Sequence, residues 1–179
     1  MNTEYEGRIP KIYPPDVSKL IISHGGKCLG QYLMRRYVYD ITPGDKSRWI
    51  RLRDSGKEVT LAVKQILHEG IDGVLEEEIV VNDFEATNRL LNLLGFTPKA
   101  YQENRRTSFV LDGARLEIDE WPMIPPYLEI EADSEEKICA IAEKLGYRYC
   151  DVYPSSFLTT ARIYRFYGMD LEQIKELRF

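Results

Sequence analysis

Aliphatic and charged residues alternate with a period of two along much of this chain. In "WIRLRD", Ile50 and Leu52 alternate with Trp49, Arg51 and Arg53; in "TLAVKQ", Leu61 and Val63 alternate with Thr60, Ala62 and Lys64. "LEEEIVV" sets Leu75, Ile79 and Val81 against Glu76 and Glu78, with Glu77 breaking the apolar set. "RTSFVL" sets Phe109 and Leu111 against Arg106 and Ser108, and "ARLEIDE" sets Leu116 and Ile118 against Arg115, Glu117 and Asp119. "YLEIEA" sets Leu128 and Ile130 against Glu129 and Glu131, and the opening "TEYEGRI" spaces Glu4, Glu6 and Arg8 by two. Successive side chains of a strand point to opposite faces, so each stretch predicts a strand with one apolar and one charged face.

Helical spacing appears between and after these strands. Asp16 precedes "VSKLIISHGG", where Val17, Leu20 and Ile21 share a face and Gly25 offers a stop. Asn82 or Asp83 caps "FEATNRLLNLLGF", whose stripe of Leu90, Leu91 and Leu94 ends at Gly95. Ser134 opens "KICAIAEKLGY", with Glu135 and Glu136 at the favourable end of the helix dipole and Gly146 as its stop. "SSFLTTARIYRFYG" reads as a helix capped by Ser155 or Ser156, and "DLEQIKELRF" as a short terminal element. The pattern predicts an α+β fold in which an antiparallel sheet carries helices on its apolar side.

The other side of that sheet is unusual. A face left in water accepts Lys, Thr, Ser, Gln and Asn freely, whereas here it holds chiefly paired arginines and paired carboxylates. Like charges two apart on one face repel, so they need opposite charges or a ligand beside them. If the sheet curls shut with its aliphatic face outward, the charges line a tunnel and the exposed sheet edges disappear.

Composition narrows the class. At 179 residues and 44% hydrophobic the chain is long enough for one domain spanning 1–179, and 30% charged residues with no apolar run of about 20 exclude a helical membrane span. A net charge of −5 argues against a general nucleic-acid scaffold. Cys28, Cys139 and Cys150 show no CxxC spacing and only His24 and His68 could join them, so no zinc site is expected and a reducing, cytoplasmic setting fits. Neither a GxxxxGK[ST] loop nor a GxGxxG after a strand is present.

Taken in order, the charged strands resemble the CYTH superfamily of triphosphate tunnel metalloenzymes, which includes class IV adenylyl cyclases, thiamine triphosphatases and inorganic triphosphatases. Glu4, Glu6 and Arg8 are similar to the ExExK signature. They are followed by RxR at Arg51 and Arg53, Lys64, Glu78, Arg106 before Phe109, Asp119 in "LEIDE" and a closing ExE at Glu129 and Glu131. The similarity extends to "PSSFLTTARIYRFYGMD" at the C-terminal end. Three positions depart from the pattern: Arg8 stands for the usual lysine, Asn104 for a lysine that Arg105 would have to replace, and "PMIPPY" for a Leu-Gly turn.

The resemblance implies a closed eight-stranded antiparallel β-barrel with helices packed outside, acidic side chains holding divalent cations and basic ones holding a triphosphate. Clustered carboxylates without His or Cys suit the hard cations Mg2+ or Mn2+, which makes Glu4, Glu6, Glu129 and Glu131 the expected metal ligands. Arg51, Arg53, Lys64 and Arg106, with Arg8 adjoining, are expected to bind phosphates, since guanidinium groups meet phosphate oxygens with paired hydrogen bonds. Asp119 and Glu78 are the expected catalytic carboxylates, and Glu117 shares their face. The expected activity is hydrolysis of the terminal phosphate of a nucleoside, inorganic or thiamine triphosphate. The alternatives are cyclisation of ATP to cyclic AMP and pyrophosphate, or a non-catalytic polyphosphate-binding module. Homodimerisation is an expectation that the resemblance alone supplies.

Overall fold

A computed structural model describes residues 1–179. The chain runs β1 (Asn2–Ile9), α1 (Pro14–Ser23), β2 (Lys27–Asp40), β3 (Arg48–Asp54), β4 (Val59–Ile66), β5 (Val74–Val81) and α2 (Phe84–Leu93). It continues through β6 (Pro98–Leu111), β7 (Ala114–Glu120), β8 (Tyr127–Ala132), α3 (Glu135–Lys144), β9 (Tyr153–Pro154), α4 (Thr160–Phe166) and β10 (Glu176–Leu177). Eight strands pair in the order β6-β2-β3-β4-β5-β1-β8-β7, and β7 pairs back onto β6, which closes the sheet. Every pairing in that ring is antiparallel.

The two short strands fill gaps left by the barrel's stagger. β5 accompanies only Asn2 to Glu4 of β1, and β9 takes up the free side at Gly7 and Arg8. β10 likewise lies parallel to β6 at Tyr101 and Gln102, beyond the reach of β7. Backbone groups that would otherwise be unpaired are thereby satisfied.

The core lies outside the barrel wall. Phe109, Leu111, Leu116, Ile118, Leu128 and Ile130 project outward and pack with Val17 and Ile21 of α1 and Ile138, Ile141 and Ala142 of α3. On the other side Tyr39, Ile50 and Leu52 pack under Phe84 and Leu91 of α2. Gly7 is needed where β1 passes beneath this layer, because a Cβ there would stand 2.6 Å from Val152 and 3.1 Å from Ile138. A third cluster joins Trp121 and Tyr127 to Ile163, Tyr164, Leu171 and Leu177 of the C-terminal segment.

Asp83 and Ser134 cap α2 and α3 as the sequence predicts, each accepting a hydrogen bond from a first-turn N–H. Two other helix starts differ. α1 begins at Pro14, whose fixed φ suits the first helical position, so Asp16 lies inside its first turn. α4 is capped by Thr159; Ser155 and Ser156 are instead buried, and the Ser156 hydroxyl donates to Gly70 O at 2.7 Å. No helix is long and apolar enough to cross a membrane.

Candidate active site in the barrel lumen

Strand parity decides which side chains meet. Because Ile50, Leu52, Leu116, Ile118, Leu128 and Ile130 face the outer helices, their neighbours face inward, and seven carboxylates and seven cations line a cavity of 130 Å³. All eleven residues expected from the sequence are among them: Glu4, Glu6, Arg8, Arg51, Arg53, Lys64, Glu78, Arg106, Asp119, Glu129 and Glu131. Glu76, Arg36 and Arg115 complete the set.

The charges form a continuous ion-pair network. Arg8 Nη2 lies 2.9 Å from both Glu6 and Glu129, and its Nη1 donates to Leu158 O of the C-terminal segment at 2.9 Å. Arg106 donates to both oxygens of Asp119, at 2.7 and 2.6 Å, and to Glu129 at 3.0 Å. Arg51 Nη2 bridges Glu76 and Glu78 at 2.7 Å each, and Lys64 Nζ reaches Glu4 at 2.8 Å and Glu76 at 3.4 Å. Glu117 accepts from Ser108 at 2.6 Å. Glu131 is exposed at the edge of the cavity and faces Glu6 across the β1–β8 pairing.

Burial sets the protonation of this network. Glu6 is pushed up to about 7 by burial and by the like charge of Glu129, against the pull of Arg8 and Lys64. Glu4 is pushed up to about 8 by burial and by its hydrogen bond with Glu76. Burial works the same way on Glu129 and Glu76, but Arg8 and Arg106 hold the first well below the carboxylate range, and Glu4, Arg51 and Lys64 hold the second at about 2. Below those raised values the pairs Glu6–Glu129 and Glu4–Glu76 therefore each hold one proton between them.

The carboxylates fit a hard divalent cation by chemistry, being all oxygen donors with protons that a cation would displace. Glu4 Oε2 is also buried without an aligned hydrogen bond, although Lys64 Nζ stands close to it. No three carboxylates converge on one point, because each is turned toward a guanidinium or ammonium group.

Arg105 does not replace a lumen lysine. It lies on the outer face, its guanidinium 4.0 Å from the Phe179 ring, while Asn104 faces inward and donates to Asp119 at 3.2 Å. The alternation that brings Arg106 inward sends Arg105 out. Glu77 also points outward, where it pairs with the N-terminal amine at 2.7 Å. His24 and His68 lie away from the lumen, at the end of α1 and in the β4–β5 connection.

Of the three lumen charges not expected as site residues, Glu76 and Arg115 stood in the alternating pattern and Arg36 did not. It sits in β2, whose "KCLGQYLMRRYVYD" lacks clean alternation because the apolar Met34 and Val38 share the face of Arg36. The signal that exposes it is register: Arg36 stands opposite Arg53.

A second cavity of 430 Å³ opens from the lumen beneath the C-terminal segment. Val38, Trp49, Ile66 and Ala100 contribute from the barrel, and Thr159 to Arg162, Arg165 and Leu171 from the segment. Glu6, Arg8, Arg36, Arg51, Lys64 and Thr160 line both spaces, so the two are contiguous.

A closed barrel with an aliphatic outside and an ion-paired lumen is a charged-tunnel protein, a class set by its architecture. The chain belongs to the CYTH domain family, whose model matches residues 34–164. That match starts within β2, so the placement of Glu4, Glu6 and Arg8 in the lumen rests on the structure. Among solved structures, the PH1012 protein from Pyrococcus horikoshii is 22% identical, covering 84% of this chain and 94% of that one, with a TM-score of 0.73. A candidate adenylate cyclase from Vibrio parahaemolyticus is 14% identical over 84% of this chain and 92% of its own, with a TM-score of 0.70. A candidate adenylyl cyclase from Hippeastrum, described as having a dominant triphosphatase activity, is 17% identical over 97% and 100%, with a TM-score of 0.59. These likenesses show the fold. No protein of curated function matches the sequence.

Proposed function

We propose that this protein is a divalent-metal-dependent triphosphatase acting on a triphosphate-bearing small molecule held in the barrel lumen. The observation that carries the reading is the balance of the lumen, where seven carboxylates oppose seven cations in one small space. A simple anion would upset that balance. A triphosphate with divalent cations keeps it, since phosphates take the guanidinium groups while cations take the carboxylates.

Glu4, Glu6, Glu129 and Glu131 would hold Mg2+ or Mn2+, which supplies charge neutralisation at the phosphates and lowers the pKa of water. Arg8, Arg51, Arg53, Lys64 and Arg106 bind the phosphate chain. Their present partners are thereby released: Asp119 loses Arg106, and Glu78 loses Arg51. Each carboxylate then becomes free to hold or take the proton of an attacking water. Tyr127, beneath Arg8 with its ring centroid 5.4 Å from the guanidinium, keeps that group aimed along the lumen.

A second reading is favoured by the 430 Å³ chamber, which has room for an organic group beside the phosphates. With such a group in place, attack by a ribose hydroxyl on the α-phosphorus would make the protein an adenylyl cyclase. Incubation with ATP, tripolyphosphate and thiamine triphosphate under Mg2+ or Mn2+ separates the two, with phosphate expected as product. Cyclic AMP and pyrophosphate would replace the first reading with the second. Changing both Glu129 and Glu131 to Gln is expected to abolish turnover that excess Mn2+ does not restore.

A further inference from the structure

Six of the seven lumen cations lie within 4.0 Å of a carboxylate oxygen, and Arg36 is the exception. Its Nε donates to Gln102 Oε1 at 2.9 Å, and none of its four terminal N–H donors meets a protein acceptor. Arg53 is nearly as free, its one carboxylate contact being Glu78 at 3.4 Å. The two are direct partners in the β2–β3 register, which places their Cβ atoms about 5 Å apart on one face. Like charges directly opposite across a strand pair repel, and here no acid lies between them.

The row continues in register. Gln102 stands beside Arg36 on β6, and Thr60 stands beside Arg53 on β4 with a buried hydroxyl that has no hydrogen-bond partner. On the same wall Arg51 Nε is also buried without an acceptor. Unsatisfied buried donors are costly, so their recurrence along one wall points to an acceptor supplied from outside the chain.

Two further features make Arg36 a built receptor. Its guanidinium lies 4.4 Å from the centroid of the Trp121 ring, whose own N–H donates to Tyr127 Oη at 2.9 Å. The aromatic contact holds the guanidinium in place, while its terminal N–H donors stay without a protein partner on the lumen wall. In the ring of strands, β2 and β3 also lie across from β1 and β8, which carry Glu4, Glu6, Glu129 and Glu131. Burial and the charge of Arg51 push Arg36 down to about 9, and Arg51 and burial push Arg53 down to about 10.

We propose that Arg36 and Arg53 form a subsite for one phosphoryl group of the substrate, on the wall opposite Glu4, Glu6, Glu129 and Glu131, with Arg36 at the junction of the two cavities. This rests on the triphosphate reading above and adds a residue to it. The phosphoryl oxygens take the free N–H donors of both guanidinium groups, and the repulsion between them becomes attraction to a shared anion.

The test uses the full chain, inorganic tripolyphosphate as the probe, titration calorimetry for affinity and thermal unfolding for stability. Arg36→Met keeps the apolar stem on Trp121 while removing the charge. It is expected to weaken tripolyphosphate binding by about 10- to 100-fold and to leave the Tm without ligand unchanged or higher. Arg36→Lys keeps the charge without the fork and should recover part of that affinity. Unchanged affinity in Arg36→Met would overturn the subsite while leaving the triphosphatase reading intact. A fall in Tm with weakened binding in both variants would make Arg36 a structural residue and overturn the subsite too. Failure of the unaltered protein to bind tripolyphosphate would overturn the triphosphate reading itself, and the subsite with it.

Discussion

Arg106 illustrates how one side chain serves both stability and binding. It neutralises Asp119, which is 1% exposed, and shares Glu129 with Arg8. Removing the guanidinium strands Asp119 beside Asn104, its one remaining side-chain donor. Breaking a buried pair from one side costs about 3–5 kcal/mol, far more than the pair itself contributes. Arg106→Met should therefore lower the Tm strongly, and an unaltered Tm would show that water reaches Asp119 freely. Arg53 gives the opposite expectation, because its only acid contact is long. Arg53→Ala should leave the unfolding midpoint nearly unchanged yet weaken tripolyphosphate binding about tenfold or more by calorimetry. At this scale the sequence named eleven of the fourteen lumen charges, because each lies in an alternating stretch and matches a motif of the resemblance those stretches carry. Arg36 was passed over for one reason, Glu76 and Arg115 for another. Arg36 shares its face of β2 with Met34 and Val38, so no charged face stands out there, whereas Glu76 and Arg115 stood in the alternating pattern without a distinguishing partner.

At the scale of elements, burial and exposed charge make separable contributions to holding the C-terminal segment. The segment is tied by Leu171, packed with Trp121 and Tyr127, and by an ion pair between Lys46 and Glu172. The ion pair is open to water, its side chains 62% and 38% exposed, so it contributes at most about 1 kcal/mol. Leu171 is 7% exposed, and its truncation leaves a cavity costing about 2–5 kcal/mol. Leu171→Ala should lower the Tm by several degrees and Glu172→Ala by hardly any; the reverse order would mean that charge holds the segment. The caps divide in the same way. Asp83 satisfies an N–H of α2 at 2.7 Å, and Asp83→Ala should cost about 1 kcal/mol in chemical unfolding. Asp83 and Ser134 were legible because each precedes a strong amphipathic run. Thr159 was not, since Ser155, Ser156, Thr159 and Thr160 all offer a capping hydroxyl and only the path of β9 past β1 decides among them.

For the whole molecule, the lumen makes stability depend on pH in a direction opposite to that of an ordinary ion-paired protein. Glu6, at about 7, and Glu4, at about 8, bind a proton more tightly folded than unfolded, where a glutamate titrates near 4.5. Between those values the native state holds more protons, so stability falls as pH rises. Glu76 and Glu129 act conversely, contributing stability above the ordinary carboxylate range that is lost as the medium becomes more acid. In chelator-treated protein the Tm should therefore peak near about pH 5 and decline toward about pH 8, and added Mg2+ or Mn2+ should offset that decline. A Tm that climbed steadily to pH 8 would contradict the shared-proton pairs. The sequence by itself determined seven of the eight barrel strands, their two faces and the chemistry of the charged face, because a period of two is a local property of the chain; β2, which lacks that period, was not among them. Closure was decided only in three dimensions. The pairing of β7 with β6, the opposition of Arg36 to Arg53 and the chamber beneath the C-terminal segment all join residues distant in sequence. Register and closure depend on which strands become neighbours, and that is fixed by packing across the whole barrel wall.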